Sequence, residues 1–221
     1  MDRALIIGAS GGIGSALCAA LGARDVAVTA LSRSADGLDV TDEASVAAAL
    51  GALRGPFDLI MVASGALVVN GARPEKTIRH VDARAMADQF ALNCIGPSLI
   101  LKHSFRLLPR KGRCVFAALS ARVGSIGDNR LGGWYSYRTS KAALNQMIHS
   151  GAIELARSHQ GAICVALHPG TVATEFTADY AETHPTVPAD KAAQNLLAVI
   201  DGLRPDQSGG FLDWSGATVP W

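Results

Sequence analysis

Short apolar runs alternate with longer segments of helical periodicity along the whole chain. The apolar runs predict strands over Ala4–Ile7, Val26–Leu31, Phe57–Ala63, Arg113–Leu119, Ala162–Leu167 and Gly210–Trp214. The periodic segments predict helices over Ile13–Leu21, Asp42–Leu53, Ala83–Leu108, Ser136–Arg157 and Ala189–Leu203, with Thr41 as the cap of the second. Continuous apolar strands are typical of parallel sheets that are covered on both faces. The pattern therefore predicts an α/β fold, a doubly wound parallel sheet with helices on both faces, in a single domain over residues 1–221.

Composition excludes several classes of protein. The 221 residues carry 20 basic and 19 acidic side chains, a formal charge of +1, which does not match the basic surface of a nucleic-acid-binding protein. The first apolar run is too short for a signal peptide or a membrane span. The four cysteines form no CxxC pair, and we expect buried thiols in a reducing compartment, with the cytoplasm as the default.

A glycine-rich segment connects the first predicted strand to the first predicted helix. Glycines let the backbone approach a pyrophosphate, which then lies over the free N–H groups of the helix N-terminus. A plain tight connection is the alternative, although the strand–turn–helix context weakens it. The residues that we expect at the dinucleotide are Gly8, Ser10, Gly11, Gly12, Ile13 and Gly14.

The end of the second predicted strand bears on the choice between NAD and NADP. An acidic residue there would bind the 2′-hydroxyl of NAD, whereas this chain has Ser32 and Arg33. A guanidinium pairs well with a phosphate, so NADP(H) is favoured over NAD(H); a solvated surface arginine is the alternative. Further cofactor contacts are expected before the next helix and after the third strand, from Asp39, Val40, Ala63, Ser64 and Gly65.

Tyr137 and Lys141 begin a long predicted helix and are four residues apart, on one helix face. A nearby ammonium lowers the pKa of a tyrosine, which is otherwise too weak an acid for neutral pH. Asn93 lies inside another predicted helix, four residues before Pro97. Since proline has no N–H, a kink there would free the carbonyl of Asn93 to hold a water, unless the motif only bends the helix around the core.

As a set, these motifs resemble the short-chain dehydrogenase/reductase family over essentially the whole chain. The segments Ser120–Gly127 and Gly132–Tyr135 resemble its C-factor and sniffer-like carbonyl reductase subgroup. The resemblance implies a Rossmann fold of about seven parallel strands, commonly a homodimer or homotetramer. It also implies hydride transfer between a nicotinamide cofactor and a small carbonyl or alcohol substrate.

The resemblance also implies roles for individual residues. Tyr137 would donate or accept the proton, Lys141 would bind the nicotinamide ribose and lower the tyrosine pKa, and Asn93 would hold a relay water. A substrate lid is expected around residues 175–188. Further cofactor contacts are implied for Pro169, Gly170, Val172 and Thr174.

Two departures from the family pattern affect these expectations. Val62–Gly65 replaces the frequent Asn-Asn-Ala-Gly, and Ala121 stands where the family usually has a catalytic serine. Ser120 is the favoured substitute, although strand alternation requires a local bulge to turn it toward the pocket; Ser125 is the other candidate.

Two functions therefore remain open. The first is an NADP(H)-dependent carbonyl reductase, and the second is a slow or inactive nucleotide-binding regulatory protein on the same fold. No metal site is expected from the histidine spacing. His168 precedes the Pro169 turn and could line the site, but it is interpreted as a structural hydrogen-bonding residue.

Overall fold

The computed structural model describes residues 1–174 and 186–221. Within these residues, one all-parallel sheet has the strand order β2-β1-β3-β4-β5-β6. The strands are β1 Arg3–Ile7, β2 Ala27–Leu31, β3 Leu59–Val62, β4 Lys111–Leu119, β5 Gln160–His168 and β6 Phe211–Asp213. Parallel strands need crossover connections, and helices supply them here.

Helices cover both faces of the sheet. They are α1 Gly12–Gly22, α2 Arg33–Asp36, α3 Glu43–Gly51, α4 Ala83–Phe90, α5 Gly96–Ser104, α6 Tyr135–Ala156 and α7 Ala189–Gly202. Alternate strand residues point to opposite faces. Accordingly, Ile7 packs in a core cluster with residues of α3, α5 and α6, and Ile6 packs in a second cluster with residues of α1 and α7. The predicted doubly wound parallel sheet is confirmed.

The seventh strand implied by the resemblance is absent from the described residues. The buried segment Leu38–Val40 follows β2, but its backbone is engaged locally. The N–H of Leu38 bonds the Ser32 carbonyl, and the N–H of Asp39 bonds the Ser45 hydroxyl. These groups cannot then form a ladder beside β2. The sheet therefore has six strands.

Local predictions also need correction. The single helix expected over Ala83–Leu108 is divided by a π-helical turn over Ala91–Ile95 and ends in a 3-10 turn, Phe105–Leu107. The missing N–H of Pro97 interrupts the helical ladder there. The cap of α3 is Asp42 and not Thr41. The Asp42 carboxylate accepts from the Ala44 N–H. Of the expected lid, residues 175–185 lie outside the described residues.

Candidate active site

A cavity of about 790 Å³ opens at the carboxyl ends of β1, β3, β4 and β5. Ligands of doubly wound sheets bind at this edge. Predicted site residues that line it are Ser10, Gly11, Gly12, Ile13, Ala63, Ser64, Gly65, Ser120, Tyr137, Lys141, Pro169, Gly170, Val172 and Thr174. Most of the expected site therefore converges on one cavity. Its described lining does not include Gly8, Gly14, Ser32, Arg33, Asp39, Val40 or Asn93.

Gly8 and Gly14 shape the turn beneath the cavity. Gly8 has a φ of +84°, and a Cβ there would lie 2.7 Å from the backbone nitrogen of Ser64. A Cβ at Gly14 would collide with the carbonyl oxygen of Gly8. The absent side chains bring the end of β1, the start of α1 and the end of β3 into contact. This contact leaves only backbone and small residues on this side of the cavity.

The residues on this side fit a dinucleotide. The N-terminus of α1 has no side-chain cap and no acidic residue in its first turn, so its N–H groups and positive dipole end face the cavity without competition. The buried hydroxyl of Ser64 has no hydrogen-bond partner within residues 1–174 and 186–221. A buried polar atom without a partner is costly, and a polar ligand in the cavity would satisfy it.

The tip of β2 contains a carboxylate that sequence reasoning missed. Asp36 accepts from the Ser32 N–H at 2.8 Å, while the Ser32 hydroxyl caps the short helix α2 by accepting from the Ala35 N–H. Arg33 is exposed, and its guanidinium makes no hydrogen bond to the rest of the described chain. The expectation of a tip without a carboxylate is therefore wrong. The reason is the one-turn helix α2, which returns Asp36 to Ser32.

Asp39 and Val40 are engaged away from the cavity. The Asp39 carboxylate accepts from the Thr41 hydroxyl at 2.7 Å and from its N–H at 2.8 Å. These bonds, with a smaller contribution from the Arg33 charge, lower the pKa of Asp39. Val40 is buried in the core, where it packs against Gly96. Their expected adenine contacts stay predictions.

Tyr137 and Lys141 lie on the buried face of α6 and both line the cavity. The Lys141 ammonium donates to the Leu119 carbonyl at 2.9 Å, and its Nζ lies 5.9 Å from the centre of the Tyr137 ring. Burial lowers the pKa of Lys141 to about 8. Burial also raises the pKa of Tyr137 above its ordinary value, the opposite direction to the lowering that we expected from Lys141.

The first turn of α6 is held by Glu75, a residue that the sequence did not single out. Its carboxylate accepts from the Ser136 N–H at 3.1 Å and from the Ser136 hydroxyl, and its carbonyl accepts from the Trp134 N–H. A carboxylate at a helix N-terminus satisfies a free N–H and complements the dipole. Glu75 thereby positions the turn that carries Tyr137. No local pattern could identify it, because it lies 61 residues before Ser136.

Asn93 is fully buried beneath the cavity, in the π-helical turn. Its side chain accepts from the Ala66 N–H at 3.1 Å and donates to the Ala66 carbonyl at 2.8 Å and to Gln89 at 2.6 Å. These bonds hold the loop after β3 against the helix. They also use both N–H donors of the Asn93 amide, and the relay water expected at Asn93 stays a prediction.

Ser120 keeps the strand alternation and points toward α6, where its hydroxyl donates to the Asn145 side-chain oxygen at 2.6 Å. Asn145 is two helical turns beyond Tyr137, about 12 Å along the axis. In this arrangement the hydroxyl proton of Ser120 is used by Asn145. Ser125 is buried outside the cavity lining, and its hydroxyl accepts from the Asp128 N–H at 3.0 Å.

The remaining wall is mostly apolar. Leu67, Val123 and Trp134 line it beside Tyr137, and the Trp134 and Tyr137 ring centres are 6.2 Å apart. His168, at the end of β5, also lines the cavity. Within the described parts of the chain, no group of three or more His, Cys, Asp or Glu could hold a metal ion. None of the described helices has both the length and the apolar character to cross a membrane.

Comparisons with known proteins agree with this geometry. A family model described as enoyl-(acyl carrier protein) reductase matches residues 19–201. The C-signal protein of Myxococcus xanthus is 40% identical over 144 residues, 64% of this chain and 81% of that protein. The 1-hydroxy-2-glutathionyl-2-methyl-3-butene dehydrogenase of a Rhodococcus strain is 32% identical over 236 aligned residues, with 100% of both chains covered.

Solved structures have the same fold. A protein described as a short-chain dehydrogenase/reductase from Burkholderia multivorans, with bound NADP, is 25% identical with a TM-score of 0.80, over 100% of this chain and 99% of that one. The carbonyl reductase Sniffer of D. melanogaster is 22% identical with a TM-score of 0.82, over 100% of both chains, a likeness of fold alone.

Proposed function

The chain belongs to the short-chain dehydrogenase/reductase family of oxidoreductases, and on that premise we propose that it is an NADP(H)-dependent carbonyl reductase. It transfers a hydride between the nicotinamide and a small carbonyl or alcohol substrate, with Tyr137 as the general acid or base. The observation that carries this proposal is that Tyr137 and Lys141 line the same cavity as the glycine-rich turn. Cofactor and proton donor thereby meet in one enclosed volume.

Tyr137 holds the proton at its phenol oxygen. The Tyr137 hydroxyl stays protonated at neutral pH, as reduction requires, although burial, by raising its pKa, also makes it a weaker acid. The apolar wall of Leu67, Val123 and Trp134 excludes water from the same region. When bound, the nicotinamide supplies the hydride for reduction or accepts it in oxidation.

Lys141 orients the cofactor and supplies positive charge. One of its three N–H donors is used by the Leu119 carbonyl, which leaves two for the ribose hydroxyls. Asn93 holds the loop after β3 in place through Ala66, and its main-chain carbonyl is assigned to the relay water. Ser120 is not assigned as the second donor to the substrate, because its proton is directed to Asn145.

The proposed preference for NADP(H) rests on Arg33. Its exposed guanidinium is free of hydrogen bonds to the described residues and stands next to Ser32, the last residue before α2. Asp36 opposes this preference, since its carboxylate would repel a 2′-phosphate. The Ser32 N–H and the Ser32 hydroxyl both donate to Asp36 and disperse the negative charge of its carboxylate. This dispersal weakens the repulsion and favours the attraction of the phosphate to Arg33. The solved relative with bound NADP is consistent with this choice.

Cofactor titration followed by turnover across a panel of aldehydes and ketones tests the proposal. We expect NADPH to bind more tightly than NADH and at least one carbonyl compound to be reduced. Tight NADPH binding without turnover of any compound would instead support the regulatory alternative. That alternative is not favoured, because Tyr137 and Lys141 are both retained and both face the cavity. Assembly as a homodimer or homotetramer and a cytoplasmic location stay predictions.

A further inference from the structure

The proposed reaction lacks a second hydrogen-bond donor for the substrate oxygen. As hydride arrives, negative charge develops on that oxygen, and one suitably placed donor contributes about 10²–10³ in rate. Ala121 lines the cavity but has no hydroxyl. The Ser120 hydroxyl donates to Asn145, and Ser125, whose hydroxyl accepts from the Asp128 N–H, does not belong to the described lining of the cavity. Another side chain must supply the donor if the site has one.

His168 is placed to reach this part of the cavity. It ends β5, one residue beyond the paired Leu119 and Leu167, and the N–H of Ser120 bonds the Leu167 carbonyl. The end of β5 therefore lies beside the strand end that leads into Ala121. His168 lines the cavity together with Ala121 and Tyr137.

The imidazole of His168 is free to bind a ligand. Its Nδ1 is buried and has no hydrogen-bond partner in the described part of the chain. Its Nε2 makes no hydrogen bond to the described residues either and is not among their buried unpaired atoms, so we assign Nε2 as the ring nitrogen that reaches the cavity. An unpaired buried N–H is costlier than an unpaired lone pair, which favours the tautomer with hydrogen on Nε2. That tautomer presents a donor to the cavity.

An uncharged imidazole suits a residue that donates a hydrogen bond without transferring its proton. Burial, with a smaller contribution from the Arg122 charge, lowers the pKa of His168 to about 4, although Asp213 acts in the opposite direction. The imidazole is therefore neutral at neutral pH. A neutral N–H can polarise a carbonyl oxygen while Tyr137 remains the acid.

We propose that His168 donates a hydrogen bond from Nε2 to the substrate oxygen and thereby replaces the hydroxyl that is absent at Ala121. This inference rests on the proposed function. It corrects the interpretation of His168 as a structural hydrogen-bonding residue, since neither ring nitrogen is bonded to the described residues. It also accounts for an apolar residue at position 121, because a second hydroxyl there is no longer required.

The test removes the proposed donor at His168 and introduces a hydroxyl donor at position 121. We expect His168→Leu to lower kcat by about 10²–10³, with a much smaller change in KM and in NADPH affinity. His168→Asn, which keeps an N–H donor, should lose less. Ala121→Ser should recover most of the lost kcat in the His168→Leu background and raise kcat far less in the parent enzyme.

His159→Leu is the matched control. His159 is buried just before the start of β5, at the opposite end of the same strand, where its Nε2 contacts the Phe105 carbonyl. This variant should lose stability without a specific loss of kcat. Thermal unfolding and NADPH binding are measured for every variant. If His168→Leu does not fold, His168→Phe, which keeps a planar ring without a donor, carries the same comparison when combined with Ala121→Ser.

Three results would overturn the inference. The first is a kcat of His168→Leu within about threefold of the parent, given that the parent is active. The second is an equal gain from Ala121→Ser in both backgrounds, which would mean that no residue replaces the missing hydroxyl. The third is a loss that appears only in NADPH affinity. If the parent enzyme itself reduces no carbonyl compound, the proposed function fails first, and this inference fails with it.

Discussion

The two sides of the cavity consist of different chemical groups. On the cofactor side, the turn over Gly8–Gly14 presents backbone N–H groups and small residues, and its fit depends on absent side chains. On the catalytic side, α6 presents Tyr137 and Lys141, both almost fully buried. One side binds through backbone and the other acts through desolvated polar groups.

This difference determines how strongly a single substitution should affect each side of the cavity. The glycine turn is held by contacts between neighbouring elements, and its chemistry is spread over several N–H groups. The catalytic side depends on one or two hydrogen bonds between residues far apart in sequence: Lys141 with Leu119 over 22 positions, Asn93 with Ala66 over 27, and Ser136 with Glu75 over 61. Single substitutions should therefore affect catalysis more sharply than cofactor binding.

The largest expected effect is that of Tyr137→Phe. Loss of a positioned acid costs roughly 10²–10⁴-fold in rate, so turnover should fall by that factor while NADPH affinity changes little. Steady-state kinetics and fluorescence titration measure the two quantities. Tyr135→Phe, two residues earlier on the same helix, is the matched control. Normal turnover by the Tyr137→Phe enzyme would exclude the mechanism.

Arg33→Ala tests the cofactor side. A charge-assisted bond contributes about 1.5–3 kcal/mol, or roughly 10- to 100-fold in affinity, and its loss should abolish most of the preference for NADPH over NADH. Titration with both cofactors measures the ratio. Arg110→Ala, just before β4 and so at the amino-terminal ends of the strands, opposite to the cavity, should leave the ratio unchanged. An unchanged ratio in Arg33→Ala would assign the preference to other residues.

The pH dependence of turnover reports on Lys141. Because burial lowers its pKa to about 8, the ammonium is present below that pH and is lost as the pH rises through it. Turnover should therefore fall above pH 8, by about tenfold for each pH unit. Lys141→Arg, whose charge persists at all these pH values, should lack the descending limb. The same limb in that variant would identify another titrating group.

The smallest expected effect is on stability. Glu75→Ala removes the acceptor for two Ser136 donors, and loss of a helix cap typically costs about 1 kcal/mol. Denaturant unfolding should show this loss, and kcat should fall with it as the first turn of α6 loosens. Glu75→Gln keeps an acceptor and should recover part of both. Glu154→Ala, on the exposed face of α6, should change neither.

The sequence by itself determined the parallel α/β fold, the position of the glycine turn and the pairing of Tyr137 with Lys141. These features follow from local patterns, namely apolar runs, glycine spacing and helical periodicity, which involve residues close together in the chain. A kink near Pro97 was expected for the same reason, since a missing N–H acts locally, although the division of the helix over Ala83–Leu108 was not.

Only the tertiary structure decided which polar groups are already engaged. It directed the Ser120 hydroxyl to Asn145, brought Glu75 to the start of α6 and left the His168 imidazole unpaired among the described residues. It also reversed the expected direction of the Tyr137 pKa shift, because burial raises that pKa. Hydrogen-bond partners and desolvation depend on packing between distant segments, which no local pattern encodes.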